Sequence, residues 1–97
     1  PVSIDTQLKQ ISANGTIVEL APKEYAILEY LAINIDKVIS SEKLIEHVWG
    51  SETNYFSDSV KVHVSNIRKK LKDACGTELI TTIRGYGYLI KKGDDAL

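Results

Sequence analysis

Between Ser57 and Cys75 the apolar residues Val60, Val64, Ile67 and Leu71 advance by four, three and four positions. At about 100° per residue they fall within an arc of roughly 60°, which predicts a helix with one buried stripe. Ser57 is suited to cap it, and Cys75-Gly76 to end it. Two more helices follow from the same rhythm. One begins at Pro22, where a missing N–H costs nothing, with Glu24 at its third position and Ile27, Leu28, Leu31 and Ile35 as its stripe. Its capping position, Ala21, has no side-chain oxygen. The other follows Ser40, a suitable N-cap, buries Leu44, Ile45 and Val48, and runs to Trp49 before Gly50 stops it.

Strand patterns occupy the two ends of the chain. "LKQISANGTIVEL" holds Asn14-Gly15 between two runs of high strand propensity, the pattern of a two-residue hairpin turn, and "VSI" before it adds a further short strand. Near the other end "LITTIRGYGYLIKK" reads as strand, tip and strand, with Gly85 and Gly87 supplying the conformations a tight reversal needs. Arg84 and Tyr86 then project from the tip. The segment "GSETNYFSDS" is polar except for Tyr55 and Phe56 and reads as a loop between the second and third helices.

Composition narrows the class. Ninety-seven residues, 43% hydrophobic and 26% charged, suit one domain over residues 1–97. No run of about 18 apolar residues suggests a membrane span. Cys75 is the single cysteine, which accords with a reducing compartment. The net charge of −1 conceals a gradient: residues 1–57 carry four Lys/Arg against eight Asp/Glu, and residues 58–92 carry eight against three. A protein that meets a polyanion with one face only has such a gradient, and so does an uneven surface with no partner.

That face lies on the third helix, opposite its stripe. Val62, Ser65, Asn66 and Lys69 form its centre, with Lys61, Arg68 and Lys72 on one edge and His63 and Lys70 on the other. A helix fits the major groove of DNA, where serine, asparagine and a valine methyl meet base edges while lysine and arginine reach phosphates. Followed by a hairpin tipped with arginine, the order reads as a helix-turn-helix with a wing. Arginine at such a tip is favoured beside the narrower groove, where the negative potential is concentrated. Enzyme chemistry has no comparable support. Asp94-Asp95 is an unpositioned acidic pair, His47 lies in no HExxH motif, and "RGYGY" lacks the spacing of a dinucleotide fingerprint. No cofactor or metal is expected.

In the order "LAPKEYAILEYL", "KVISSEKLIEHVWG", "SVKVHVSNIRKKL" and "ITTIRGYGYLI", the chain resembles the C-terminal winged-helix effector domain of the OmpR/PhoB family of response regulators. The resemblance covers residues 2–91. It implies an α+β fold: a four-stranded N-terminal antiparallel sheet, three helices and a C-terminal β-hairpin wing. It also implies sequence-specific binding of double-stranded DNA for transcription regulation in a two-component phosphorelay. Val62, Ser65 and Asn66 are then base-edge candidates, and Lys61, His63, Arg68, Lys69 and Lys70 backbone candidates. Thr82, Arg84 and Tyr86 form the wing contact. Glu52, Thr53 and Asn54 fall in a loop that in the family often contacts RNA polymerase. The family context further implies a cytoplasmic protein whose full-length form pairs as a homodimer on direct-repeat half-sites. Asp58, Ser65, Asn66 and Ala21 depart from the family's commoner residues. The alternative is a winged-helix module used for protein contacts, suggested by the near-zero net charge, Asp58 and the aromatic "NYF".

Overall fold

The computed structural model describes residues 2–50, 57–76 and 78–91. Strands β1 (Val2–Asp5), β2 (Gln10–Ala13) and β3 (Thr16–Val18) form an antiparallel sheet in that order. Asn14 and Gly15 both have positive φ, +53° and +81°, and Ala13 pairs with Thr16 across them. That is the mirror-image turn whose twist matches the flanking strands. The β1–β2 turn is fixed by the Asp5 carboxylate, which accepts the Gln7 and Leu8 N–H groups at 3.0 Å each. Where the resemblance implied four N-terminal strands, the described residues hold three: positions 2–18 supply three extended runs and two tight turns.

Helix α1 (Pro22–Ile33) starts where the proline placed it. Glu24 accepts the Ala21 N–H at 2.9 Å, so half of a capping box is present although Ala21 returns no oxygen. Ile35 lies past the helix end and packs on the core from the following turn. Helix α2 (Ser41–Trp49) has the expected caps. Ser40 Oγ accepts the Lys43 N–H at 3.1 Å, and the Gly50 N–H donates to the Glu46 carbonyl at 3.0 Å. Trp49 is the last residue of the helix and is buried.

Helix α3 (Ser57–Cys75) corrects one expectation. Ser57 is its first residue rather than its cap, because helical geometry extends one residue further back. Residues 51–56, which precede it, lie outside the described residues. The other end is as expected, with Gly76 at φ +71° and its N–H on the Lys72 carbonyl at 2.8 Å. Val60, Val64, Ile67 and Leu71 are all but inaccessible to solvent and meet Ile27, Leu28, Leu31, Leu44 and Ile11 in one core. Each such side chain contributes about 1.5–3 kcal/mol by leaving water, so this stripe is what fixes the rotation of α3.

Strands β4 (Ile80–Ile83) and β5 (Gly87–Ile90) form the second sheet. Ile39, in the α1–α2 linker, exchanges two backbone hydrogen bonds with Tyr88, at 2.8 and 2.9 Å, and the Asp36 N–H donates to the Ile90 carbonyl at 2.8 Å. The linker thus lies beside β5 as a third strand would.

Candidate nucleic-acid interface

With its stripe buried, α3 turns Lys61, Val62, Ser65, Asn66 and Lys69 to solvent. Val62 is 57% exposed. The wing stands beside this face. Lys61, the N-terminal residues of α2 (Ser41 and Glu42) and the hairpin from Thr82 to Tyr88 line one open recess of about 440 Å³. At the tip, the Tyr86 N–H donates to the Ile83 carbonyl at 2.9 Å and Gly85 has φ +82°, which closes a three-residue loop. Arg84 and Tyr86 leave that loop exposed, Tyr86 by 75%.

Arg68, Lys70 and His63 are engaged within the molecule. Arg68 is half-buried, and its Nε and Nη2 donate to the Ile80 carbonyl at 3.3 and 3.0 Å, with Nη2 also donating to Thr82 Oγ1 at 2.5 Å. It straps β4 to α3. Lys70 donates to Glu24 at 2.6 Å. His63 Nδ1 donates to the Ser59 carbonyl at 2.7 Å, and its ring meets Trp49 edge-on at 5.2 Å. The sequence reading gave all three to the DNA backbone; in the structure each first serves a neighbouring element.

Glu24 explains why Lys70 is held. It is only 4% exposed, the one buried charged residue among those described. Burial by itself pushes its carboxyl pKa up, but the Lys70 hydrogen bond, the Ala21 N–H and the charges of Lys70 and His63 together bring it below the ordinary value. A lowered carboxyl stabilises the fold above the ordinary carboxylate range, and that contribution is lost as pH falls through the lowered value. Glu24 was legible as an N-terminal helix acid. Its partner, 46 residues on, was not.

Other expectations fall away from this face. His47 lies on the exposed side of α2 and stacks on Tyr30 with ring centroids 3.9 Å apart. Glu52, Thr53 and Asn54 lie outside the described residues. No described helix is long and apolar enough to cross a membrane.

Comparison with known proteins adds a family. The family described as "Transcriptional regulatory protein, C terminal" matches residues 15–90. The response regulator protein PmrA of Pseudomonas aeruginosa is 40% identical over 85 residues, which cover 88% of this chain and 37% of PmrA. The response regulator ArlR of Staphylococcus aureus is 34% identical over 90 residues, covering 93% of this chain and 41% of ArlR. The chain therefore spans about two fifths of these relatives' length. Among solved structures, the DNA-binding domain of response regulator AdeR in complex with an intercistronic region superposes with a TM-score of 0.83 at 26% identity, over 95% of both chains. The DNA-binding domain of CpxR from E. coli gives 0.79 at 32% identity, over 93% of this chain and 89% of that one.

Proposed function

The chain belongs to the OmpR/PhoB family of response regulators, as a C-terminal winged-helix domain of transcriptional regulatory proteins rather than an enzyme, and on that premise we propose that it binds double-stranded DNA with α3 in the major groove and the wing at the adjoining minor groove. One observation carries the reading: Lys61, on the exposed face of α3, and the exposed tip Arg84 line a common recess, and α3 has five basic residues and no acid between Lys61 and Lys72. Val62, Ser65 and Asn66 are small or neutral enough to approach base edges. Lys61, Lys69 and Arg84 supply charge for phosphates or the minor groove. Arg68, Lys70 and His63 act first as positioning residues, fixing where α3 and the wing stand. Tyr86 extends the wing contact from the tip.

In the full-length protein this domain would follow a phosphorylated receiver in a two-component relay, and two copies would occupy direct-repeat half-sites about one helical turn apart. Residues 52–54 would meet RNA polymerase, in the cytoplasm. The test of the DNA reading is a salt titration of binding by the chain and by Lys69→Ala. The parent loses affinity steeply with salt, and the variant's log–log slope is shallower by about 0.9. Binding that ignores salt, or no binding at low salt, favours the protein-contact module.

A further inference from the structure

The exposed chemistry of α3 and the wing narrows what kind of DNA they would read. Guanine is read in the major groove at O6 and N7 by arginine or lysine, and the arginine guanidinium grips both atoms with two N–H groups. On α3 the only arginine is Arg68. Both gripping edges of a guanidinium use Nη2, paired either with Nη1 or with Nε. Here Nη2 already donates twice, to the Ile80 carbonyl and to Thr82 Oγ1, and Nε donates to the same carbonyl. Releasing that fork would free the strap on β4. What remains at the centre of the face is Val62, Ser65 and Asn66, all exposed. Asparagine matches the donor–acceptor pair of adenine N6 and N7, and an aliphatic side chain matches the thymine methyl. Lys69, about two helical turns beyond Val62, is a hydrated point cation and suits a phosphate.

The wing points the same way by a separate route. Arg84 stands on a narrow tip, and arginine gains most where the minor groove is narrow and its potential deepest, as in A·T tracts. The guanine N2 amino group projects into that groove and is the one donor that distinguishes G·C from A·T there.

We infer that the ligand is a duplex whose half-site is anchored by A·T pairs under both elements, read through the major-groove edge beneath α3 and the minor-groove edge beneath the wing. This rests on the DNA-binding reading, which it deepens. The two edges can be changed one at a time. A 2,6-diaminopurine·T pair keeps the A·T major-groove edge and carries the G·C minor-groove amino group. An inosine·C pair does the reverse.

The experiment selects duplexes from a random pool with this chain and locates α3 and the wing on the enriched site by footprinting. Each A·T pair is then replaced by each analogue pair. Beneath α3, diaminopurine·T is expected to change affinity less than twofold and inosine·C to lower it about tenfold, the usual cost of one wrong base pair. Beneath the wing the two effects exchange. Deoxyuridine in place of thymine beneath α3 weakens the parent and leaves Val62→Ala unmoved, which identifies the methyl contact. Lys69→Ala weakens every duplex alike and leaves the base preference intact.

A required G·C pair beneath α3, a base preference that changes in Lys69→Ala, or analogue effects that fail to exchange between the two elements overturns this inference while DNA binding itself stands. A pool that enriches nothing and shows no salt-dependent retention overturns both readings.

Discussion

The hairpin β2–β3 and the hairpin β4–β5 both reverse over glycine. An added methyl group would meet nothing within 4 Å at Gly15, whereas at Gly87 it would meet the Ile39 carbonyl oxygen at 2.1 Å. The first hairpin is shaped by its own turn: Asn14 and Gly15 carry the two positive φ values, and the strands follow. The second depends on parts of the chain far from it. Its β5 side pairs with the α1–α2 linker, and its β4 side is strapped by Arg68. A turn can specify a hairpin, but it takes tertiary bonds to aim one at a partner.

Breaking the tight approach should do the most harm. Gly87 combines φ +152° with backbone contact on its missing side chain, so Gly87→Ala is expected to cost about 3 kcal/mol or more in urea unfolding. A loss below 1 kcal/mol, on the order of ordinary surface changes, would mean the wing is not docked on the linker. Arg68→Lys keeps the charge and removes the fork, and it should cost about 1.5 kcal/mol. Its signature is local: amide exchange should quicken in β4 and β5 and stay unchanged in β2 and β3. Gly15→Ala sharpens the contrast with Gly87, because only the left-handed backbone is penalised there, at about 1 kcal/mol.

The smallest effect concerns what holds the N-terminal sheet to α1. Tyr25 is buried, donates to Glu29 at 2.8 Å, and has its ring 5.8 Å from the Lys9 ammonium. Burial, the hydrogen bond to Glu29 and the charges of Glu29 and Asp5 push the phenol up to about 12. A raised pKa means stability that is complete below the unfolded value of about 10 and is lost as pH climbs towards 12. Tyr25→Phe should cost about 0.5–1 kcal/mol at neutral pH. It should also lack that part of the alkaline decline; an identical decline in both proteins would show that the hydroxyl is not what titrates.

Legibility in the sequence divides along the same line. Asn14-Gly15, Pro22 with Glu24, Ser40, Gly50 and Gly76 were readable because turn and cap chemistry acts within four residues. The α3 stripe was readable because burial repeats with the helix. The bonds that Arg68 and Lys70 make within the molecule were not legible, because nothing beside a basic residue records where its N–H groups are used. Their partners lie 12, 14 and 46 residues away. Gly87 was read as a hairpin former, while the Ile39 carbonyl that excludes any side chain there comes from another part of the chain. The exposed face of α3 was legible as the complement of its stripe; the strap that keeps the wing beside it was not.

The Ile39–Tyr88 pairing also has a consequence in time. It joins residues 49 positions apart, and closing a loop of that length costs about 3 kcal/mol of chain entropy, several-fold more than the Asn14-Gly15 turn pays. The N-terminal sheet and α1 can therefore assemble early, whereas the wing can dock only once the chain has been made as far as β5. Until then the backbone of Ile39 lacks its two hydrogen-bond partners, and an incomplete chain keeps that gap open. On the ribosome, where synthesis runs from β1 towards β5, the surface proposed to meet DNA takes shape after the N-terminal sheet and α1.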